Sequence, residues 1–85
     1  MSHRHPLVLP DLGAGEMPIT VCLWLVDLGQ EVTEGDRLLE VMFGSVTVDL
    51  PAPASGVLAE TCVGEDDVVA VGQLLGIIES RESGS

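Results

Sequence analysis

The chain has few side chains able to do chemistry. Its histidines are His3 and His5, its cysteines Cys22 and Cys62, and it has no tyrosine. The three basic residues are Arg4, Arg37 and Arg81, so the 85-residue sequence contains no lysine. His3 and His5 make an HxH pair, but two ligands on a terminus expected to fray fall short of the three or four that a metal site needs. No metal site is expected there. Cys22 and Cys62 lack the CxxC spacing of a redox or metal site and lie in apolar surroundings, which predicts buried free thiols rather than a disulfide. Glu65-Asp66-Asp67 lacks the ligand spacing and glycine of a calcium loop and reads as a solvated turn, as do Glu31/Glu34 and Asp36 beside Arg37. Gly13-Ala14-Gly15 has neither the preceding strand nor the following helix of a nucleotide loop. With both histidines ahead of the expected fold, no Ser/His/Asp or Cys/His arrangement can form. No catalytic residue is expected, and the chain is not read as an enzyme by itself.

Composition narrows the partners. Fourteen acidic residues against three basic ones give a net charge of −11. That surface repels nucleic acid and anionic membrane. The chain is also 46% hydrophobic, too apolar for a charge-expanded disordered polymer, so one small folded domain is expected. Its longest apolar run, Val21 to Val26, is far short of the roughly 20 residues that span a bilayer as a helix. The N-terminus lacks the features of a secretory signal. The expectation is a cytoplasmic domain with no membrane partner.

The elements that would position any site are strands. Valines recur along the chain, β-branched residues favour the pleated surface, and no long stretch keeps a helical stripe free of Gly or Pro. Regular Gly/Pro punctuation predicts an all-β sandwich or barrel with strands near 6–9, 18–26, 30–32, 37–43, 46–50, 56–63, 67–69 and 74–79. In the fifth, Val46, Val48 and Leu50 are expected inward, with Thr47 and Asp49 outward. Residues 1–5 are expected as a disordered tail, 6–80 as the domain and 81–85 as a polar tail or linker start.

An internal repeat supports this plan. A shift of 37 places Val26 on Val63, Val32 on Val69, Gly35 on Gly72, Leu38 on Leu75 and Val41 on Ile78. Leu9-Pro10 matches Leu50-Pro51 at a shift of 41, which leaves four extra residues in the loop DLGAGEMP. Two such halves would pack as two sheets about a pseudo-twofold axis. Between them, Gly44-Ser45 flanked by strand patterns predicts a two-residue hairpin with a type II′ turn, Gly44 taking the positive φ.

Pro10-Asp11-Leu12-Gly13, Trp24-Leu25-Val26, the Val32 to Gly35 turn and Pro51-Ala52-Pro53 resemble the lipoyl domain of the acyltransferase component of 2-oxo acid dehydrogenase complexes. The resemblance runs from about residue 7 to residue 79. It implies a flattened sandwich of two four-stranded antiparallel sheets, and the related biotinyl domains share that fold. In the lipoyl family the hairpin tip reads Asp-Lys-Ala, and the lysine carries lipoate through an amide. Counting back from Pro51 puts Ser45 at the lysine position, Gly44 at the aspartate and Val46 at the alanine.

A serine hydroxyl cannot form the amide that either cofactor needs, so neither lipoyl nor biotinyl is expected. The resemblance places partner recognition at the hairpin and its neighbouring loop. That makes Leu12, Gly13, Ala14, Gly15, Glu16, Met42 and Phe43 the candidate docking residues, toward subunits of a 2-oxo acid dehydrogenase-type enzyme, with Phe43 folding inward over the sandwich end as an open alternative. The expected function is a non-catalytic binding or assembly module. Two other readings stay open: an acyl-carrier domain whose lysine has been replaced at Ser45, and a purely structural domain of a larger protein.

Overall fold

The computed structural model describes residues 2–81. Its strands are β1 (Ser2–Val8), β2 (Ile19–Trp24), β3 (Glu31–Val32), β4 (Arg37–Phe43), β5 (Val46–Pro51), β6 (Gly56–Thr61), β7 (Val68–Val69) and β8 (Leu74–Arg81). They form two four-stranded sheets, β1-β8-β6-β3 and β5-β4-β2-β7, in which every pairing is antiparallel. Among the described residues there is no helix, and so none long and apolar enough to cross a membrane.

The core between the sheets is aliphatic. Leu9, Leu38, Leu39, Leu50, Leu58, Leu75, Ile78, Val21 and Val41 are each less than 2% exposed or close to it. Each such side chain contributes about 1.5–3 kcal/mol over its exposed state. Trp24 closes one side of this core. Its indole Nε1–H donates to the Val63 carbonyl at 2.8 Å. The ring lies so close over Gly76 that a Cβ there would meet Trp24 Cη2 at 2.9 Å and the Glu60 carbonyl oxygen at 2.8 Å.

The repeat is exact at the level of topology. Replacing β1–β4 by β5–β8, and the reverse, converts the strand order of one sheet into that of the other. Turn chemistry repeats too. The Asp27 N–H donates to Gln30 Oε1 at 3.0 Å, and from 27 to 64, 37 residues on, the Gly64 N–H donates to Asp67 Oδ2 at 2.8 Å. Likewise the Thr33 N–H donates to Asp36 Oδ2 at 2.8 Å, and the Ala70 N–H to Gln73 Oε1 at 3.0 Å. Both ladders break at matching places, between Val21 and Leu23 in β2 and between Leu58 and Glu60 in β6.

The first strand requires a different offset from the one read in the sequence. The Gly35 N–H donates to the Ala52 carbonyl and the Ala52 N–H to the Asp36 carbonyl; their counterparts are Gly72 to Leu9 and Leu9 to Gln73. Leu9-Pro10 therefore matches Ala52-Pro53, a shift of 43 from 9 to 52, and the loop after β1 carries six more residues than its twin rather than four. The prolines misled, because Pro51 and Pro53 both follow an apolar residue and only the hydrogen bonds separate them.

The expected N-terminal tail is also corrected. Residues 2–5 belong to β1 because β8 extends far enough to pair with them, Ser2 opposite Arg81. Arg4 ties this end down by bonding Glu60 and Glu79, and His5 Nε2 lies 2.9 Å from Ser80 Oγ. Arg81 is strand rather than tail. Residue 1 and the rest of the expected polar tail, 82–85, lie outside the described residues. β2 and β6 end at Trp24 and Thr61, two residues earlier than expected.

Candidate docking site at the hairpin tip

β4 and β5 pair down to Phe43 opposite Val46, leaving Gly44-Ser45 as a two-residue turn. Gly44 has φ of 58°, and Asp66 is the one non-glycine with positive φ among the described residues. That combination is the type II′ pattern, positive at the first central position only. Ser45 is exposed at the apex.

The six-residue enlargement of the loop after β1 folds against this tip. Ala14 is buried and anchors the loop, the Met17 N–H donates to the Ala14 carbonyl at 3.1 Å, and the Gly13 N–H donates to Asp11 Oδ1 at 2.9 Å. Met17 reaches over the turn: a Cβ on Gly44 would stand 3.2 Å from its Sδ.

Burial sorts the expected docking residues. Gly13, Gly15, Glu16 and Met42 are exposed, and Leu12 is half-buried against the core. Ala14 and Phe43, at 6% and 8% exposure, fill the sandwich end instead and offer a partner no surface. Phe43 turns inward because it shares a face with Val41 and Leu39, both fully buried. Val46, expected inward, is exposed: it begins β5, the edge strand of its sheet, next to the turn, while its cross-strand partner Phe43 on the inner strand β4 is buried. Val48 and Leu50 do face the core.

The remaining reactive groups stay apart from the tip. His3 and His5 begin β1, at the far end of that strand from the enlarged loop. No group of three or more His, Cys, Asp or Glu suited to a metal occurs among the described residues. The cysteines are free, but Cys62 is exposed and Cys22 half-buried, contrary to the expectation of two buried thiols. Cys22 follows inward-facing Val21 and so takes the solvent side of its sheet by strand alternation, and the bulge brings Leu23 to the same side, opposite Glu40. Partial burial raises its pKa, and contact with Glu40 and the charges of Glu40, Asp49 and Asp66 raise it further by opposing the thiolate. This carboxylate cluster was missed in the sequence, although the two-residue turn fixes Glu40 opposite Asp49.

A two-sheet sandwich with internal twofold symmetry and an exposed two-residue hairpin is the architecture of a biotinyl- or lipoyl-type domain. The chain belongs to the biotin/lipoyl family: residues 5–78 match the family model described as biotin-requiring enzyme. It is 32% identical over 83 residues, 98% of its length, to the dihydrolipoyllysine-residue acetyltransferase component of the acetoin cleaving system of Pseudomonas putida. Over 70 residues, 82% of the chain, it is 37% identical to the corresponding component of the pyruvate dehydrogenase complex of Corynebacterium glutamicum. It spans 22% and 10% of those two proteins. The lipoyl domain of the 2-oxoglutarate dehydrogenase complex from Azotobacter vinelandii superposes with a TM-score of 0.71 at 28% identity, covering 93% of this chain and 98% of that one.

The family's cofactors do not fit this tip. Lipoyl or biotinyl attachment needs an amine, and the residue presented is a hydroxyl in a chain without lysine.

Proposed function

We propose that this chain is a lipoyl-type domain that carries neither lipoyl nor biotin and serves as a non-catalytic docking or assembly module, related to the acyltransferases of 2-oxo acid dehydrogenase complexes. The observation that carries this reading is Ser45 at the apex of the hairpin in a lysine-free sequence. A swinging arm works by holding a reactive group on a mobile stem at high effective concentration. With no stem, what remains is a rigid sandwich with an enlarged loop folded over its hairpin.

The contact surface on this reading is the exposed part of that end, Gly13, Gly15, Glu16 and Met42, offered to enzyme subunits of the 2-oxo acid dehydrogenase type in the cytoplasm. A carrier domain whose lysine was replaced at Ser45 would need only one changed position. Gly44 at the family's aspartate position and Val46 at its alanine position favour divergence of the whole tip over a single replacement.

The test is restoration. Ser45→Lys with Gly44→Asp, incubated with a lipoate ligase, lipoate and ATP, is expected to gain lipoyl mass. The unaltered chain is expected to gain none. Modification of the unaltered chain would end this reading.

A further inference from the structure

We propose that the outer face of the sheet β5-β4-β2-β7 is a docking surface for a basic, amphipathic segment of a partner protein. This deepens the docking reading above and rests on it for its biological role.

The face has two adjoining rows. Val68, Thr20, Met42 and Thr47 are successive cross-strand partners from β7 to β5, and Val68 and Met42 are 67% and 38% exposed. Beside them, Leu23 of the bulge, Glu40 and Asp49 form the next row, with Leu23 39% exposed. Asp66 joins from the turn before β7, held where its N–H donates to the Val21 carbonyl at 2.9 Å. Three apolar side chains thus lie among three carboxylates. Among the described residues the cation that answers them is Arg37, 3.7 Å from Asp49 and mostly in solvent.

The internal repeat supplies the control. On the other sheet the positions equivalent to Cys22, Glu40 and Asp49 hold Ala59, Ile77 and Pro6. The same backbone plan thus folds with neutral residues there, and the fold does not require the acids. That sheet also compensates its own charges, Arg4 bonding both Glu60 and Glu79. Like charges directly opposite across a ladder oppose folding. A Lys- or Arg-bearing segment with apolar residues between its cations meets both rows and relieves that opposition.

The probe is a synthetic peptide of alternating lysine and leucine, titrated into the 15N-labelled chain at about 0.1 M salt, where long-range attraction is largely screened. Shifts are expected at Thr20, Cys22, Glu40, Met42, Asp49 and Val68, with the β1-β8-β6-β3 face little moved. Glu40→Gln and Asp49→Asn should each weaken binding by roughly two- to fivefold. Val68→Ser should weaken it as well, whereas Glu60→Gln on the opposite sheet should not. No binding, shifts spread over both sheets, or equal weakening by Glu60→Gln would overturn the proposal. The result is independent of cofactor status, so lipoylation of the native protein would refute the non-carrier reading while leaving this surface to stand or fall by itself.

Discussion

Glu40 and Asp49 stand directly opposite each other across β4 and β5. Both alternate with core-facing residues, Leu39 and Val41 in β4 and Val48 and Leu50 in β5, so both carboxylates lie on the solvent side of their sheet. Such a pair costs about 0.2–1 kcal/mol relative to a neutral one. Glu40→Gln is therefore expected to raise the melting temperature by about 1–5 °C, measured by circular dichroism at low salt. Added salt should raise that of the unaltered chain and narrow the difference. A lower melting temperature for Glu40→Gln would show that the pair is stabilising.

Partial burial, and after it the same carboxylates, act on Cys22. Its pKa is raised, so the folded state holds the thiol proton more tightly than the unfolded chain does. The contribution to stability is fully present below the unfolded thiol pKa and is lost as pH rises through the folded one. In a Cys62→Ser background, alkylation of Cys22 should turn on at lower pH in Glu40→Gln than in the parent. Unchanged profiles would mean that burial alone controls the thiol.

Gly76 leaves no room for a methyl group between Trp24 and the Glu60 carbonyl. Gly76→Ala should destabilise the domain by about 1–3 kcal/mol, read from urea unfolding followed by Trp24 fluorescence. Its counterpart in the repeat is Leu39, which is fully buried, and Leu39→Ala should cost about 2–5 kcal/mol by leaving a cavity.

Backbone conformation gives a paired prediction of opposite sign. Asp66 holds φ of 70°, where glycine is freer than an L side chain. Asp66→Gly should stabilise by up to about 1 kcal/mol, with part of the gain coming from lost charge repulsion. Gly44→Ala, at φ of 58° and beneath Met17, should destabilise by about 1 kcal/mol. Thermal unfolding of the two variants checks both signs.

The strand plan was legible because its determinants are local. Valine-rich runs, Gly/Pro punctuation and the 37-residue repeat locate the eight strands, and the Gly44-Ser45 turn fixes the β4–β5 register. The first strand was not legible at residues 2–5, since nothing in Ser-His-Arg-His announces a strand. Those residues are ordered by β8 and by Arg4 reaching Glu60 and Glu79. At the tip, Ser45 could be placed from its spacing to Pro51, but the inward turn of Phe43 and the reach of Met17 over Gly44 depend on packing between segments distant in sequence. Cys62 was misread for a related reason: apolar neighbours in sequence do not decide which side of a strand end is covered.

Whether this domain bears a cofactor is read from the mass of its Ser45-bearing segment in protein recovered from the native source. The Ser45-bearing segment is expected at the mass of its encoded residues, with no lipoyl or biotinyl increment. A mass higher by either group would contradict the non-carrier reading.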